Sequence, residues 1–177
     1  MPKLDASQVQ CQVLTYKEGL LSAVAHDLKL DVTKLSIDFD PDSKKIEATF
    51  DPTSLTVHCA MKDGEERLDA LSAKDKRDIE GNIAKDVLVT KKHREIRFRS
   101  KSVSESGGGY RVSGTLEIKG KARDVSFDLR NSGDNLEAKV RLHQPDYDVK
   151  PFSAMLGALK IKPDIDVLVK LPKKLVG

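Results

Sequence analysis

The chain has 177 residues, of which 38% are hydrophobic and 33% charged, which suits one domain over residues 1–177 with an apolar core. Its 31 basic and 28 acidic residues give a net charge of +3 and are spread along the chain, without a basic stripe. Trp is absent, and the few aromatic residues do not form a base-stacking platform. From these features we expect no nucleic-acid partner.

The N-terminal segment MPKLDASQVQCQVLTYKEG lacks the apolar stretch and the small-residue cleavage site of a secretory signal. No run in the chain approaches the roughly 20 apolar residues of a membrane span. We therefore expect a cytoplasmic protein without a membrane span. Cys11 and Cys59 are far apart and lack CxxC spacing, so we expect two buried or half-buried thiols rather than a zinc or redox site.

Strand signals begin in LKLDVTKLSIDFD, where apolar residues alternate with polar ones and place Leu28, Leu30 and Val32 on one face. Ile37 and Phe39 continue the pattern after a bend. KKIEATFD repeats it with Ile46, Ala48 and Phe50. The DPDS sequence between these segments predicts a hairpin, because Pro presets its φ angle and the Asp and Ser side chains bond to the local backbone.

A helix is predicted in SAKDKRDIEGNIAKDVL, where Ile79, Ile83 and Val87 recur every four residues and charged residues fill the other faces. Ser72 followed by Asp75 resembles a capping box at its start.

Three further strand regions follow the helix. EIRFRSKSV and YRVSGTLEI are predicted to pair across SESGGG, with the three glycines at 107–109 supplying positive φ values. LEIKGKARDVSFDLR predicts a hairpin with its turn from Lys119 to Asp124, and LEAKVRLHQ and IDVLVKL close the series. Between these last two segments, the apolar spacing from Phe152 to Leu159 predicts a short helical segment that ends before Pro163.

These elements predict a mainly β protein, an eight-stranded antiparallel up-and-down barrel with one main α-helix and the short helical segment near Phe152 and Leu159. A barrel of this size either fills its interior with side chains or holds one small ligand. The segment PFSAMLGALKI fits either a plug that seals one end or a wall of such a cavity.

Catalytic and metal-binding patterns are weak. His26 and Asp27 are neighbours on a predicted strand, so their side chains point to opposite faces and cannot form an oriented dyad. His58, His93 and His143 are isolated, without the spacing that gives a metal three or four ligands, and no phosphate-binding loop is present. We therefore expect no catalytic residue, no metal and no enzyme activity.

Three segments carry a family resemblance: HDLKL at 26–30, DVLVTKKHREIRFRSKSV at 86–103 and YRVSGTLEIKGKARDVSFDLR at 110–130. Together they resemble the YceI family of lipocalin-like, polyisoprenoid-binding proteins. The glycine-rich hairpin pattern of that family is met by Gly114, Leu116, Ile118, Gly120 and Val125. Ala25 replaces the usual Gly before His26, and Arg94, Lys121, Ala122 and Asp124 also depart from the pattern, all at turns.

The resemblance implies an extended barrel whose elongated apolar interior binds, and carries or stores, a polyisoprenoid, quinone-like or other amphiphilic lipid. This is binding rather than catalysis, and the lipid is the only bound molecule expected. Many relatives are periplasmic. The predicted wall of the cavity consists of the apolar residues Leu116, Ile118, Val125, Phe127, Leu129, Val140, Leu142, Phe152 and Met155. His26 is predicted to lie at the mouth and contact a lipid head group.

Three alternatives stay open at this point. One is a barrel with a filled core that acts as a protein-interaction or stress-related module without a lipid. Another is a hydrolase or isomerase that uses His26 at the barrel mouth. An elongated antiparallel barrel also offers an edge strand or its mouth for pairing, so a homodimer is an alternative to a monomer.

Overall fold

The computed structural model describes residues 3–19 and 25–176, and these form fifteen β-strands and one α-helix. The strands before the helix are β1 (Lys3–Asp5), β2 (Gln10–Thr15), β3 (Lys17–Glu18), β4 (Asp27–Val32), β5 (Leu35–Asp40), β6 (Lys45–Phe50), β7 (Leu55–Lys62) and β8 (Glu65–Arg67). The helix is α1 (Ala73–Asn82). The strands after it are β9 (Ile96–Ser106), β10 (Gly109–Ile118), β11 (Lys121–Ser132), β12 (Asn135–His143), β13 (Ser153–Ala154), β14 (Leu159–Ile161) and β15 (Asp164–Pro172).

Twelve strands form one antiparallel sheet in the order β1-β5-β6-β9-β10-β11-β12-β15-β2-β4-β7-β8, which curls into a half-barrel. A small second sheet has the order β13-β14-β3. The prediction of a mainly β fold with one main helix is confirmed, whereas the eight-stranded up-and-down count is wrong. The eight predicted strands correspond to β4, β5, β6, β9, β10, β11, β12 and β15. The prediction missed β1, β2 and β7, and the short strands β3, β8, β13 and β14 carry too little alternation to be recognised.

The bend between β4 and β5 lies beside the bend between β6 and β7, so the two long segments turn together. Thr33 N–H donates to the Ser54 carbonyl at 3.3 Å, and Asp51 N–H donates to the Lys34 carbonyl at 3.0 Å. The Ser54 hydroxyl also accepts from Lys34 N–H at 3.0 Å. Backbone groups that leave the regular ladder at the corner are therefore still bonded, which allows the sheet to curl without orphaned polar groups.

The predicted hairpin at DPDS joins β5 to β6, and an Asp40 carboxylate oxygen accepts from the backbone of Asp42 at 3.0 Å. Between β9 and β10, Gly107 and Gly108 have positive φ, but Gly109 does not. Gly109 is needed for space, because a Cβ there would lie 1.9 Å from the Leu129 carbonyl oxygen. The turn after β10 consists of Lys119 and Gly120 alone, with φ values of 53° and 75°, so β11 begins three residues before the predicted end of that turn.

Ser72 and Asp75 form the predicted capping box at the start of α1. Ile79 and Ile83 pack against the buried side chains of Leu28, Leu30 and Val57. Leu30 is directly opposite Val13 in the ladder, and Val13 faces the interior of the half-barrel. The helix therefore covers part of the inner surface of the sheet. In the part of the chain that the structure describes, no helix is long and apolar enough to cross a membrane.

The predicted helical segment between Phe152 and Leu159 is wrong apart from one turn. The chain there forms β13, a single 3-10 turn at Met155–Gly157, and β14. Leu156 and Gly157 have positive φ values of 56° and 86°, which no right-handed helix accommodates. Apolar spacings of three and four residues in this segment therefore reflect a strand–turn–strand path and not a helix.

Candidate functional site

An apolar cavity of about 250 Å³ lies inside the half-barrel. Its volume is close to the lower end of the range for small-molecule sites, about 300 Å³. Polar side chains on its wall are few, and they include Asp51 and Gln144. Strands from both flanks of the sheet contribute inward-facing apolar residues, among them Val13, Ile37, Phe39, Ile46, Phe50, Ile96, Phe98, Val167, Val169 and Leu171.

The cavity is elongated along the strands. On β15 every second residue from Ile165 to Leu171 belongs to the wall. Six residues of extended strand span about 20 Å, so the wall runs for about that length along the sheet. An interior of this shape suits a chain-like apolar guest better than a compact one.

Glycine leaves room for aromatic side chains in the wall. A Cβ on Gly114 would lie 2.7 Å from the Phe98 ring, at the point where the pairing of β9 and β10 shifts register. The Phe98 ring contacts the Phe127 ring in a tilted arrangement, with centroids 5.7 Å apart and an interplanar angle of 53°. Gly114 therefore allows this pair to form one side of the cavity.

Seven of the nine predicted wall residues lie on this wall: Leu116, Ile118, Val125, Phe127, Leu129, Val140 and Leu142. Phe152 is half-buried beside the small sheet and is not among the described wall residues, because the segment that carries it is not the helix that was predicted to face the interior. The side chain of Met155 lies outside the described part of the structure. Contact of these residues with a ligand stays a prediction.

Two groups of wall residues were not predicted from the sequence, one on strands and one outside them. Phe39, Ala48 and Phe50 follow the predicted alternation of β5 and β6, but the sequence predicted only their place on one strand face and not in a cavity wall. Leu88, after the helix, and Tyr147, after β12, follow no strand period, so no sequence pattern marked them. The place of Leu88 and Tyr147 in the wall is therefore visible only in the folded structure.

His26 is exposed and is not among the described wall residues, so the structure does not place it at the cavity. It lies near the start of α1, where hydrogen bonds from Ser72 lower the pKa of Asp75 and the positive charge of Lys74 acts in the same direction. An Asp27 carboxylate oxygen accepts from Lys17 N–H at 2.8 Å, which ties the start of β4 to β3. Asp27 is thus engaged with the backbone of another strand.

A family model described as the YceI-like domain matches residues 3–172. The chain belongs to the YceI-like family. Its fold resembles that of BcnA from Burkholderia cenocepacia, with a TM-score of 0.65 and 17% identity over 95% of this chain and 98% of that one. It also resembles the YCEI protein of Campylobacter jejuni, with a TM-score of 0.56 and 17% identity over 83% of this chain and 84% of that one. No match was found among curated proteins.

A β-bulge in this YceI-like protein creates a cluster that the sequence did not reveal. Lys29 pairs with Cys59 and Leu30 with Val57, which leaves His58 as the extra residue and directs His58 and Cys59 to the same side. Nitrogen, sulfur and oxygen atoms of His58, Cys59 and Glu66 lie within 4.8 Å of one another. The prediction that His58 is isolated is therefore wrong.

Lys29 and His58 both lie close to carboxylates in this cluster. His58 Nδ1 lies 3.1 Å from an Asp31 carboxylate oxygen, and Nε2 lies 3.4 Å from Glu66 Oε1. Lys29 Nζ lies 3.0 Å from the same Glu66 oxygen, and its hydrogen bond and charge lower the pKa of Glu66. Burial raises the pKa of the Cys59 thiol. Lys29 supplies the positive charge that a metal ion would otherwise bring to Glu66.

On the outer face of the half-barrel, Asp166 on β15 is 1% exposed and is bonded to Arg141 on β12 and to Tyr16 between β2 and β3. Arg141 donates to it from Nε at 3.0 Å and from Nη2 at 2.9 Å, and the Tyr16 hydroxyl donates to the same carboxylate. The hydrogen bonds of Arg141 hold the pKa of Asp166 below its ordinary value. Burial, together with the bond to Asp166, raises the pKa of Tyr16 to about 12. This cluster links β12, β15 and the residue that follows β2, beside strands that form one side of the cavity.

Proposed function

We propose that this YceI-like protein binds, and carries or stores, an amphiphilic lipid with a long apolar chain, of the polyisoprenoid or quinone-like kind. The observation that carries the proposal is the elongated apolar cavity inside the half-barrel, which the protein's own side chains leave open. An open cavity favours a carrier over a barrel with a filled core. The TM-score of 0.65 with BcnA supports the fold on which the proposal depends.

The energetics of such a site are simple. Each buried CH₂-sized unit contributes about 0.8 kcal/mol, so ten units contribute about 8 kcal/mol before the cost of ordering the chain. A cavity wall with few polar groups can therefore bind a chain tightly without many hydrogen bonds. Chain length and cavity length then decide which lipids fit best.

The role that we propose is binding without catalysis, in the cytoplasm. His26, the residue considered for catalysis, is exposed and is not among the described wall residues, which supports a wall of apolar packing groups rather than reacting ones. A homodimer stays a prediction.

Extraction and reloading test this function. The purified protein is extracted with organic solvent, the extract is analysed by mass spectrometry, and the delipidated protein is titrated with cis-parinaric acid, whose fluorescence rises in apolar surroundings. We expect a chain-bearing lipid in the extract and saturable uptake of the probe near one molecule per chain. An extract without lipid, together with delipidated protein that stays folded by circular dichroism and takes up no probe, would contradict the proposal.

A further inference from the structure

The wall of the half-barrel has a gap in its hydrogen-bonded ladder. β11 pairs with β10 through nine register pairs, from Tyr110↔Leu129 to Ile118↔Lys121, but with β12 through only the three from Arg130↔Glu137 to Ser132↔Asn135. β12 pairs with β15 along its whole length. Within the described residues 3–19 and 25–176, no strand pairing joins the edge of β11 from Lys121 to Leu129 to the edge of β12 from Ala138 to His143. We call this gap the lateral slot.

The lateral slot lies where the cavity meets the outer surface. Val125 and Phe127 on β11 and Val140 on β12 belong to the cavity wall. The same three residues also line a groove on the outer face of the sheet, together with outward-facing residues such as Ser126 and Lys139. These three side chains border both the cavity and the outer groove. At this place the interior is separated from solvent by packed side chains alone, without a hydrogen-bonded ladder.

Few polar contacts join the two sides of the lateral slot at its ends. At one end β11 and β12 are joined by their hairpin. At the other end Arg123 Nε donates to the Asp146 carbonyl at 2.9 Å, and Lys121 Nζ lies 3.5 Å from an Asp148 carboxylate oxygen. Exposed polar contacts of this kind are weak and are screened by salt. Separation of the strands along the slot would break the side-chain packing of Val125 with Val140 and Leu142 but no ladder hydrogen bond.

The outer margin of the lateral slot carries more positive than negative charge. Its exposed basic side chains are Arg111, Arg130, Lys139, Arg141 and Lys170. These five cations share three carboxylates, those of Asp128, Glu137 and Asp166. We call these cations the basic lip. Its excess charge, beside an apolar interior, matches an amphiphile with an anionic head group.

We propose that an amphiphile with an anionic head group threads its apolar chain through the lateral slot while its head group stays on the basic lip. This inference rests on the proposed lipid-binding function and adds its route of entry and the charge of its ligand. The slot supplies an apolar path bordered by Val125, Phe127 and Val140, and the lip supplies the counter-charge at the outer end of that path.

Cross-linking tests the route. Asp128→Cys/Lys139→Cys places thiols on the two sides of the slot, and Asp124→Cys/Thr115→Cys places them across the intact β10–β11 ladder, where residues 115 and 124 are register partners. Each pair removes one carboxylate, and the control pair lies outside both the basic lip and the cavity wall. Each is treated with a short bis-maleimide, or with a monofunctional maleimide as its own control, and mass spectrometry is used to select cross-linked chains.

Stopped-flow uptake of cis-parinaric acid gives the readout. We expect the cross-link over the slot to slow uptake and release by about tenfold or more, with the final amount bound unchanged, and the cross-link in the ladder to leave both rates as they were. Equal rates in cross-linked and singly labelled slot variants would overturn the route while leaving the lipid-binding function in place. Absence of uptake by the unaltered protein would overturn both.

Charge neutralisation tests the head group. Arg130→Gln/Lys139→Gln should weaken binding of carboxylate-headed and phosphate-headed chains by about tenfold and leave a hydroxyl-headed chain of the same length unaffected. Lys44→Gln/Lys101→Gln, which removes two exposed cations away from the lip, is the matched control. The anionic head group whose affinity falls further is the one that the lip recognises. An equal loss for charged and uncharged chains, or no loss, would overturn the assignment of an anionic head group.

Discussion

Arg141 donates two hydrogen bonds to Asp166, from Nε at 3.0 Å to one carboxylate oxygen and from Nη2 at 2.9 Å to the other. The pair lies on the outer face directly behind the cavity wall, since Val167, the next residue on β15, faces the cavity. Bidentate pairing of this kind fixes the relative position of two strands as well as adding energy. The geometry of the cavity wall on β12 and β15 thus depends on a contact outside the cavity.

Asp166→Asn should lower the free energy of unfolding by about 1 to 2 kcal/mol, because a buried carboxylate loses its charge-assisted bonds and the Tyr16 hydroxyl loses a strong acceptor. Urea denaturation followed by circular dichroism measures the change. Asp164→Asn is the control two residues earlier on the same strand, where the carboxylate is 46% exposed and pairs with His143. That variant should change stability by less than about 0.5 kcal/mol. Equal losses of unfolding free energy in the two variants would show that the bidentate pair stabilises the protein no more than the exposed pair does.

The same residue predicts a dependence of stability on pH. The pKa of Asp166 is below its ordinary value of 3.8, mainly because Arg141 donates hydrogen bonds to the charged form. A carboxylate with a lowered folded-state pKa contributes stability that is complete above the unfolded pKa and is lost as pH falls through the folded pKa. The stability difference between the unaltered protein and Asp166→Asn should therefore be constant from about pH 7 to about pH 5 and shrink towards about pH 2.5. A difference that persists unchanged into acid would contradict this assignment.

Alternation of apolar and polar residues was sufficient to predict much of the wall. Leu116, Ile118, Val125 and Phe127 face the cavity because successive strand residues point to opposite sides, a rule that needs no knowledge of the partner strand. The capping box of α1 is equally local, since Ser72 and Asp75 satisfy each other's backbone groups within one turn.

The lateral slot and the bulge could not be predicted in this way. β11 and β12 alternate equally well whether or not their facing edges are hydrogen-bonded, so the sequence carries no mark of the gap. His58 adds one residue to β7 where the apolar pattern of Val57 and its neighbours still looks regular. The helix predicted from Phe152 to Leu159 was wrong for a related reason. The helical spacing of its apolar residues does not reveal the positive φ values of Leu156 and Gly157.

Filling the cavity should block uptake of a lipid. Ile118→Trp places a large ring into the wall of the cavity, whereas Glu117→Trp places the same ring on the exposed face of the same strand. We expect the first variant to bind cis-parinaric acid at least about tenfold more weakly and the second to bind it normally, because only the first ring competes with the chain for volume. Fluorescence titration measures both affinities, and circular dichroism checks that both variants fold. Equal affinities of the two variants for the probe would show that the probe does not bind in the cavity.

Truncation of each ring of the tilted pair Phe98 and Phe127 should distinguish close packing from contact with a ligand. Phe98 is 6% exposed and fits closely against Gly114, so Phe98→Ala should lower the free energy of unfolding by about 3 to 5 kcal/mol. Phe127 is only half-buried and borders both the cavity and the lateral slot, so Phe127→Ala should cost less, about 1 to 3 kcal/mol, and should change the affinity for cis-parinaric acid. Urea denaturation and fluorescence titration of both variants give the comparison. A loss of about 3 to 5 kcal/mol in Phe127→Ala with no change in affinity would instead favour a barrel with a filled core, since a residue in such a core contributes to packing and not to a ligand.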